Sequence, residues 1–257
     1  MSYKYLLFIS QNYSFEILRP MQQEILAQGH RCAWFVSGDE VNLDNFREDE
    51  ILFKSIHEAV DYLPDAVFIP GNTVAPFISG IKVQVFHGLE WKKKGHFRIR
   101  GFFDLYCTHG ELTTKPFNKL AEQHGYFGVV ETGWPKLDPL FQTLPYSVKS
   151  DLPVILFAPT FSPNLTCALE CLDEIKKLVA TKKHHWLVKF HPKMHPEWVE
   201  LYQQINADNF EIVNIDSCLP LLQRADIILS DTSSIIGEFL LLNKPAVTYK
   251  NSEPGSY

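Results

Sequence analysis

Two histidines in this chain end apolar runs. His87 closes Lys82-Val83-Gln84-Val85-Phe86 and precedes Gly88, and His191 closes Trp186-Leu187-Val188-Lys189-Phe190 and precedes Pro192. Imidazole titrates near neutral pH, so such a ring can take a proton from a hydroxyl nucleophile or, once charged, face a phosphate. A second kind of chemistry lies in Leu221–Val247, where the run Ile227-Ile228-Leu229 stops at Ser230-Asp231-Thr232-Ser233-Ser234 and a new apolar segment begins. That pattern predicts a buried strand ending in small hydroxyl residues that open a helix. A helix start presents unpaired N–H groups and a positive dipole end, which can hold an anion. Ala158-Pro159-Thr160 ends another apolar run in the same manner. Each of these residues also has a plainer use. A histidine often serves only loop packing, and Ser233 and Ser234 are of the type that caps helices.

The elements that must position these residues alternate along the chain. Tyr5–Ile9, Cys32–Val36, Ala66–Ile69, Lys82–Phe86, Asp104–Thr108 and Val129–Thr132 read as short strands, with helices expected over Phe15–Leu26, Ile56–Leu63 and Pro116–Gln123. Leu144–Pro153, with a proline at each end, reads as a linker, after which the pattern restarts. Strands are expected at Val154–Phe157, Trp186–Phe190 and Phe210–Val213. Helices are expected to carry Leu169, Leu172, Ile175 and Leu178, then Trp198–Ile205, then Pro220–Arg224. Short apolar strands separated by helices imply an α/β fold whose parallel sheets are covered on both faces. The expected organisation is therefore two Rossmann-like domains, 1–145 and 151–257. If they face each other, His87, His191, Thr160, Ser233 and Ser234 line one cleft, because ligands of such sheets sit beyond the carboxyl ends of the strands.

Composition narrows the class. The chain has 257 residues, 46% of them hydrophobic, enough to bury a sizeable core. Its formal charge of -6 gives no global electrostatic case for a nucleic-acid partner. The five cysteines are odd in number, lie mostly in apolar segments and form no zinc-type pair, which fits reduced core thiols and a cytoplasmic setting. No leader or membrane-length apolar run is visible. A metal site is not expected. His191 and His195 are four apart, but Pro192 and Pro196 argue against a helix that would align them. GxSxG, Walker and GxGxxG signatures are missing, so hydrolase, P-loop and dinucleotide readings lack support.

In order and spacing, Phe86-His87-Gly88, Gly133-Trp134-Pro135-Lys136-Leu137-Asp138, Ala158-Pro159-Thr160, His191-Pro192, Ser230–Ser234 and Lys244–Tyr249 together resemble the CDP-glycerol glycerophosphotransferases, which build teichoic-acid-like polyol phosphate chains. The resemblance implies a GT-B fold, with the acceptor on the N-terminal domain and the CDP-glycerol or related CDP-polyol donor mainly on the C-terminal one. It implies His87 as the base acting on an acceptor hydroxyl. His191 would contact the donor phosphates, with Thr160, Ser233 and Ser234 beside them. No cofactor or metal is implied. Transfer of this kind is governed by positioning and by neutralisation of developing charge.

Glu238, one helical turn beyond Ser234, is a candidate for the ribose hydroxyls, by likeness to GT-B sugar-nucleotide enzymes. Its other reading is an exposed helix carboxylate. Asp138 is expected to fix the loop between the domains. Trp91–Arg100 is the strongly basic patch, with Lys92, Lys93, Lys94, Arg98 and Arg100 interleaved with aromatics and no acid. It is suited to an anionic polymer or glycan acceptor, or to peripheral contact with acidic headgroups at the inner face of the cell membrane. A solvated loop is its bland alternative. The sequence ends soon after Lys244–Tyr249, where GT-B enzymes continue with closing helices, so those helices are expected to be missing. Two further readings stay open: a nucleotide-sugar glycosyltransferase or UDP-GlcNAc 2-epimerase relative of the same fold, and a non-catalytic GT-B remnant.

Overall fold

The computed structural model describes residues 1–88, 95–215 and 217–250. The chain divides into two compact units, Met1–Asp138 and Pro139–Tyr257. The segment Leu144–Pro153 thus lies inside the second unit.

The first unit contains β1 (Lys4–Ile9), α1 (Ser14–Ala27), β2 (Arg31–Val36), β3 (Leu52–Phe53), α2 (Ile56–Asp61), β4 (Ala66–Ile69), β5 (Ile81–Gln84), β6 (Leu105–Thr108), α3 (Glu111–His124) and β7 (Gly128–Glu131). Its seven strands pair in parallel in the order β3-β2-β1-β4-β5-β6-β7. Leu6 of β1 sits between Ala33 and Val67 of its two neighbours, and all three are fully buried. This is why the central strands read as unbroken apolar runs rather than alternating ones. Order reverses between β1 and β4, and loops beyond the carboxyl ends there are where such sheets hold ligands. Gly125 ends α3 in the left-handed region (φ +72°), returning its N–H to the Ala121 carbonyl. Gly80 has no substitute, since a β-carbon would lie 2.3 Å from the Pro64 oxygen at φ +83°.

A 3-10 helix, Pro135–Phe141, carries the chain into the second unit and includes Asp138. There follow β8 (Val154–Phe157), α4 (Ala168–Ala180), β9 (His185–Val188), α5 (Pro196–Gln203), β10 (Phe210–Ile212), α6 (Leu219–Arg224), β11 (Ile227–Ser230), α7 (Ile235–Leu240) and β12 (Ala246–Thr248). The five strands are parallel in the order β10-β9-β8-β11-β12, again reversing at the first strand of the unit.

An aspartate just before a strand pins three neighbouring strands at their amino ends. Asp65 accepts from Lys4 N, Asp104 from Lys82 N and Asp226 from Val154 N, at 2.7, 2.8 and 2.8 Å. Two expectations need correction. The strand before His191 stops at Val188, so Lys189 and Phe190 belong to the loop that carries the histidine. On α4 the buried stripe is Ala168, Cys171, Leu172, Ile175 and Val179, while Leu169 and Leu178 stay 45% and 43% exposed. The small residues Ala168 and Cys171 let the helix pack against the sheet, and a pattern built on leucines alone rotates the face.

Candidate active site

In the first unit the last ladder bond of β5 runs from Val85 N to the Ile69 carbonyl at 3.0 Å. Phe86 then adopts φ +58°, a left-handed conformation that costs a residue with a β-carbon about 1–2 kcal/mol. The turn brings His87 Nδ1 to 2.9 Å from the Pro70 carbonyl oxygen, just past β4. The ring stacks on Tyr13 at 5.0 Å between centroids and 25° between planes. A carbonyl oxygen only accepts, so Nδ1 donates and the imidazole lone pair lies on Nε2. That is the tautomer a general base needs.

Two further histidines lie behind this turn. His96 stacks on Phe86 at 5.0 Å, and His109 meets the same ring edge-on at 5.6 Å. Burial lowers His96, and proximity to His87 lowers it further. Burial drives His109 down to about 4, a hydrogen bond with the Val85 backbone partly opposes this, and His96 and His87 add to the fall. Both rings are therefore neutral at pH 7. Trp134, 6% exposed, packs on His109 at 5.3 Å, which gives the Gly133-Trp134-Pro135 motif a packing role behind His87.

In the second unit three loops meet at the carboxyl ends of β8, β9 and β11. Asp231 is 4% exposed and turns inward. Its carboxylate accepts from Thr160 N at 3.0 and 3.1 Å and from Cys167 N at 3.0 Å. Beside it, Ser230 Oγ donates to the Ala158 carbonyl at 2.5 Å. The loop thus held carries Phe161, which stacks on His191 with centroids 4.3 Å apart. Thr160, His191 and the Ser230–Ser234 turn are therefore gathered in one place. His191 Nδ1 accepts from Lys193 N at 3.0 Å, so in the neutral ring the proton sits on Nε2. This is the opposite tautomer to His87, and it offers an N–H toward an anion. Burial lowers His191, with Lys193 and Lys189 lowering it further.

Ser233 and Ser234 are half-buried at the start of α7. Ser234 makes no side-chain cap bond, and Ser233 Oγ meets Ile235 N only at 3.5 Å, so capping is a weak use of either hydroxyl. With six residues, α7 sums few peptide dipoles. Glu238 is 2% exposed, which overturns its reading as an exposed helix carboxylate. Arg98 is exposed, and Arg100 folds back to donate to the Arg98 carbonyl at 3.2 Å. Lys92, Lys93 and Lys94 lie outside the described residues. Lys244 has a structural task. Its Nζ donates to the carbonyls of Gln223 and Ala225 at 2.6 and 2.8 Å, closing the carboxyl end of α6. Among the described residues, no three His, Cys, Asp or Glu side chains gather as a metal site, and no helix is long and apolar enough to cross a membrane.

Sequence reasoning passed over Phe161, the inward role of Asp231 and the left-handed turn at Phe86. Only Asp231 carried a signal, as a carboxylate at the end of an otherwise apolar strand.

Residues 103–253 match the family described as CDP-glycerol:poly(glycerophosphate) glycerophosphotransferase. The chain belongs to that family. The matched stretch holds Thr160, His191, Ser230–Ser234 and Glu238, while His87 precedes it. A curated relative, the teichoic acid glycerol-phosphate primase of Bacillus subtilis (strain 168), is 27% identical over 163 residues, covering 59% of this chain and 42% of the primase. The match thus spans less than half the length of that relative. Similar solved structures include the S. aureus MnaA–UDP co-structure, with TM-score 0.71, 16% identity and coverage of 98% of this chain and 80% of that one. A putative UDP-N-acetylglucosamine 2-epimerase from Listeria monocytogenes has TM-score 0.70, 12% identity and the same coverage. The wall teichoic acid polymerase TagF, in a structure with CDPG, has TM-score 0.62, 16% identity and coverage of 95% and 69%. At these identities the likeness is one of fold, and the fold is GT-B-like, with two Rossmann-like units.

Proposed function

We propose that the chain transfers glycerol phosphate, or a related polyol phosphate, from a CDP-activated donor to a hydroxyl of a cell-surface polymer or glycan, releasing CMP. The observation that carries this reading is the opposite tautomers of the two histidines, set beside membership of the family. His87, with its lone pair on Nε2, takes the proton as the acceptor oxygen attacks the glycerol-bearing phosphorus. The bond from that phosphorus to the bridging oxygen breaks, and CMP leaves with the electron pair. His191 gives an N–H to the donor phosphates, beside the hydroxyls of Thr160, Ser233 and Ser234, and stabilises charge that grows on the leaving group. Glu238 serves the ribose hydroxyls. The basic run Lys92, Lys93, Lys94, Arg98 and Arg100 meets an anionic acceptor or an acidic membrane surface, which would keep the protein at the inner face of the cell membrane.

The test mixes the protein with CDP-glycerol, CDP-ribitol or UDP-N-acetylglucosamine and a glycerol phosphate acceptor, and follows nucleotide release. CMP release that depends on acceptor is expected. UDP release without CMP would overturn the reading in favour of a nucleotide-sugar glycosyltransferase of the same fold. His87→Ala should bind CDP-glycerol with unchanged affinity and lose at least a hundredfold in turnover, within the 10²–10⁴ range typical of a general base. Unchanged turnover would remove His87 from that role.

A further inference from the structure

A bulky residue in the left-handed region marks a place where the surroundings over-determine the backbone, and such places cluster at working sites. Phe86 is one, at φ +58°, and it immediately precedes His87. Its ring is 8% exposed and has ring partners on several sides: His96 at 5.0 Å, Phe117 at 5.3 Å, His109 at 5.6 Å and Tyr106 at 6.1 Å. These partners come from the loop before β6, from β6 itself, from the turn after it and from α3. Phe117, at the back of the cluster, is fully buried and holds Phe97 and Tyr106 as well. On the other side of the turn, His87 reaches away from its own strand, to Pro70 beyond β4 and Tyr13 before α1.

The two ends of this arrangement are coupled through one residue. An extended residue 86 would continue the pleat of β5, and the next side chain would follow the period-two alternation of the strand. The left-handed turn breaks that alternation and redirects residue 87. The conformation is costly for an L-residue, and the ring contacts of the aromatic cluster around Phe86 offset that cost.

We propose that Phe86 is a positioning residue for His87, its ring clamped by His96, Tyr106, His109 and Phe117 so that the strained turn aims the imidazole at Pro70 and fixes its tautomer. The proposal rests on the reading of His87 as the base, but its geometry can be tested without turnover. Phe86 touches no reacting atom. It sets the lone pair on Nε2 by delivering Nδ1 to a carbonyl.

The experiment uses the full chain labelled with ¹⁵N-histidine. Long-range ¹H–¹⁵N spectra distinguish Nδ1–H from Nε2–H tautomers, and His87→Gln assigns the His87 signal. Wild type and Phe86→Trp should show His87 as a single Nδ1–H tautomer. Phe86→Leu, which keeps an apolar filling but loses the ring, should show averaged tautomers and a fall in kcat of thirtyfold or more. The donor KM should stay within twofold. Phe86→Gly separates strain from clamping. Glycine accepts φ +58° at no cost but has no ring to clamp, so it should behave as Phe86→Leu does. Thermal unfolding confirms that each variant is folded, and Phe86→Leu is the deciding one should Phe86→Gly fail to fold. An unaltered His87 tautomer with unaltered kcat in folded Phe86→Leu would overturn the proposal. If no CDP-polyol is turned over by wild type, the transfer reading falls while the tautomer comparison still decides the role of Phe86.

Discussion

Asp231 was singled out by sequence as part of a phosphate-binding turn, and its geometry leads to a different expectation. Its two oxygens take three contacts from two buried N–H groups, those of Thr160 and Cys167. Asp231→Asn keeps one acceptor oxygen and sets an NH2 against one of these donors. With that oxygen in the place of Oδ2 it keeps both N–H contacts, at 3.1 and 3.0 Å, but the bonds lose their charge assistance and the NH2 opposes the Thr160 N–H, which together cost about 1–3 kcal/mol. Part of that is offset, because burial already holds the Asp231 carboxyl above its ordinary range despite the N–H bonds. A net loss of about 1–2 kcal/mol is expected for Asp231→Asn. Asp231→Ala orphans both donors and should lose about 3 kcal/mol. The damage should centre on the loop from Ala158 to Cys167. The far end keeps its own anchor, Tyr202 OH to the Ala168 carbonyl at 2.6 Å. Amide exchange at Thr160 and Cys167 should therefore accelerate by about tenfold or more in Asp231→Asn, matching about 1.4 kcal/mol of lost protection. Exchange in β9 should stay near wild type. Phe161 rides on the freed loop against His191, so CDP-glycerol affinity measured by calorimetry should fall by a similar factor. If both amides stay protected and donor affinity is unchanged, Asp231 does not hold this loop and the account of the site is wrong.

Three further outcomes follow from the same geometry. Burial and two lysines hold His191 below its ordinary 6.5, so a bound diphosphate should raise it and draw in a proton. Donor binding should be tighter at pH 6 than at pH 8 in wild type. In His191→Gln it should be about tenfold weaker and flat with pH. A flat wild-type profile would refute the assignment. His109 falls from 6.5 to about 4 on folding, so its stabilisation is complete above 6.5 and is lost as pH drops through the folded value. That interval corresponds to at most about 3 kcal/mol, and urea unfolding of His109→Phe should show a correspondingly shallower loss between pH 6.5 and 4. An equal slope in both proteins would contradict the neutral His109. Arg19 pairs with Glu50 through two bonds of 2.9 and 3.0 Å, and Glu50 is 9% exposed. Burial alone would raise the Glu50 carboxyl, but Arg19 and the Arg47 N–H bring it below its ordinary value. Arg19→Ala leaves that charge buried and should cost about 3 kcal/mol at pH 7, whereas a loss below about 0.5 kcal/mol would show the pair to be inconsequential.

What the sequence alone determined was the order and kind of the elements. Central strands of parallel sheets are buried on both faces, so the run Leu6-Leu7-Phe8-Ile9 read as a core strand, and Ile227-Ile228-Leu229 read as another, of which Ile228 is the fully buried member. The hydroxyl and histidine residues at their ends could then be placed beyond the carboxyl edges. The family also showed in short motifs whose order survives when overall identity does not. Which atoms each motif residue presents could not be read there, because that depends on neighbours distant in the chain. Phe161, thirty residues from His191, covers its ring, and Asp231, seventy-one from Thr160, takes its N–H. Lys244 stood out only as the start of a family motif, and the structure shows it closing a helix twenty residues earlier. Glu238 left two readings open, a ribose contact or an exposed helix carboxylate, and only packing shows it buried. Sequence could name His87 and His191 as a pair of like residues. The tertiary structure made them unlike, by giving one ring a carbonyl and the other an N–H, and that difference suits them to the separate roles proposed for them, base and anion donor.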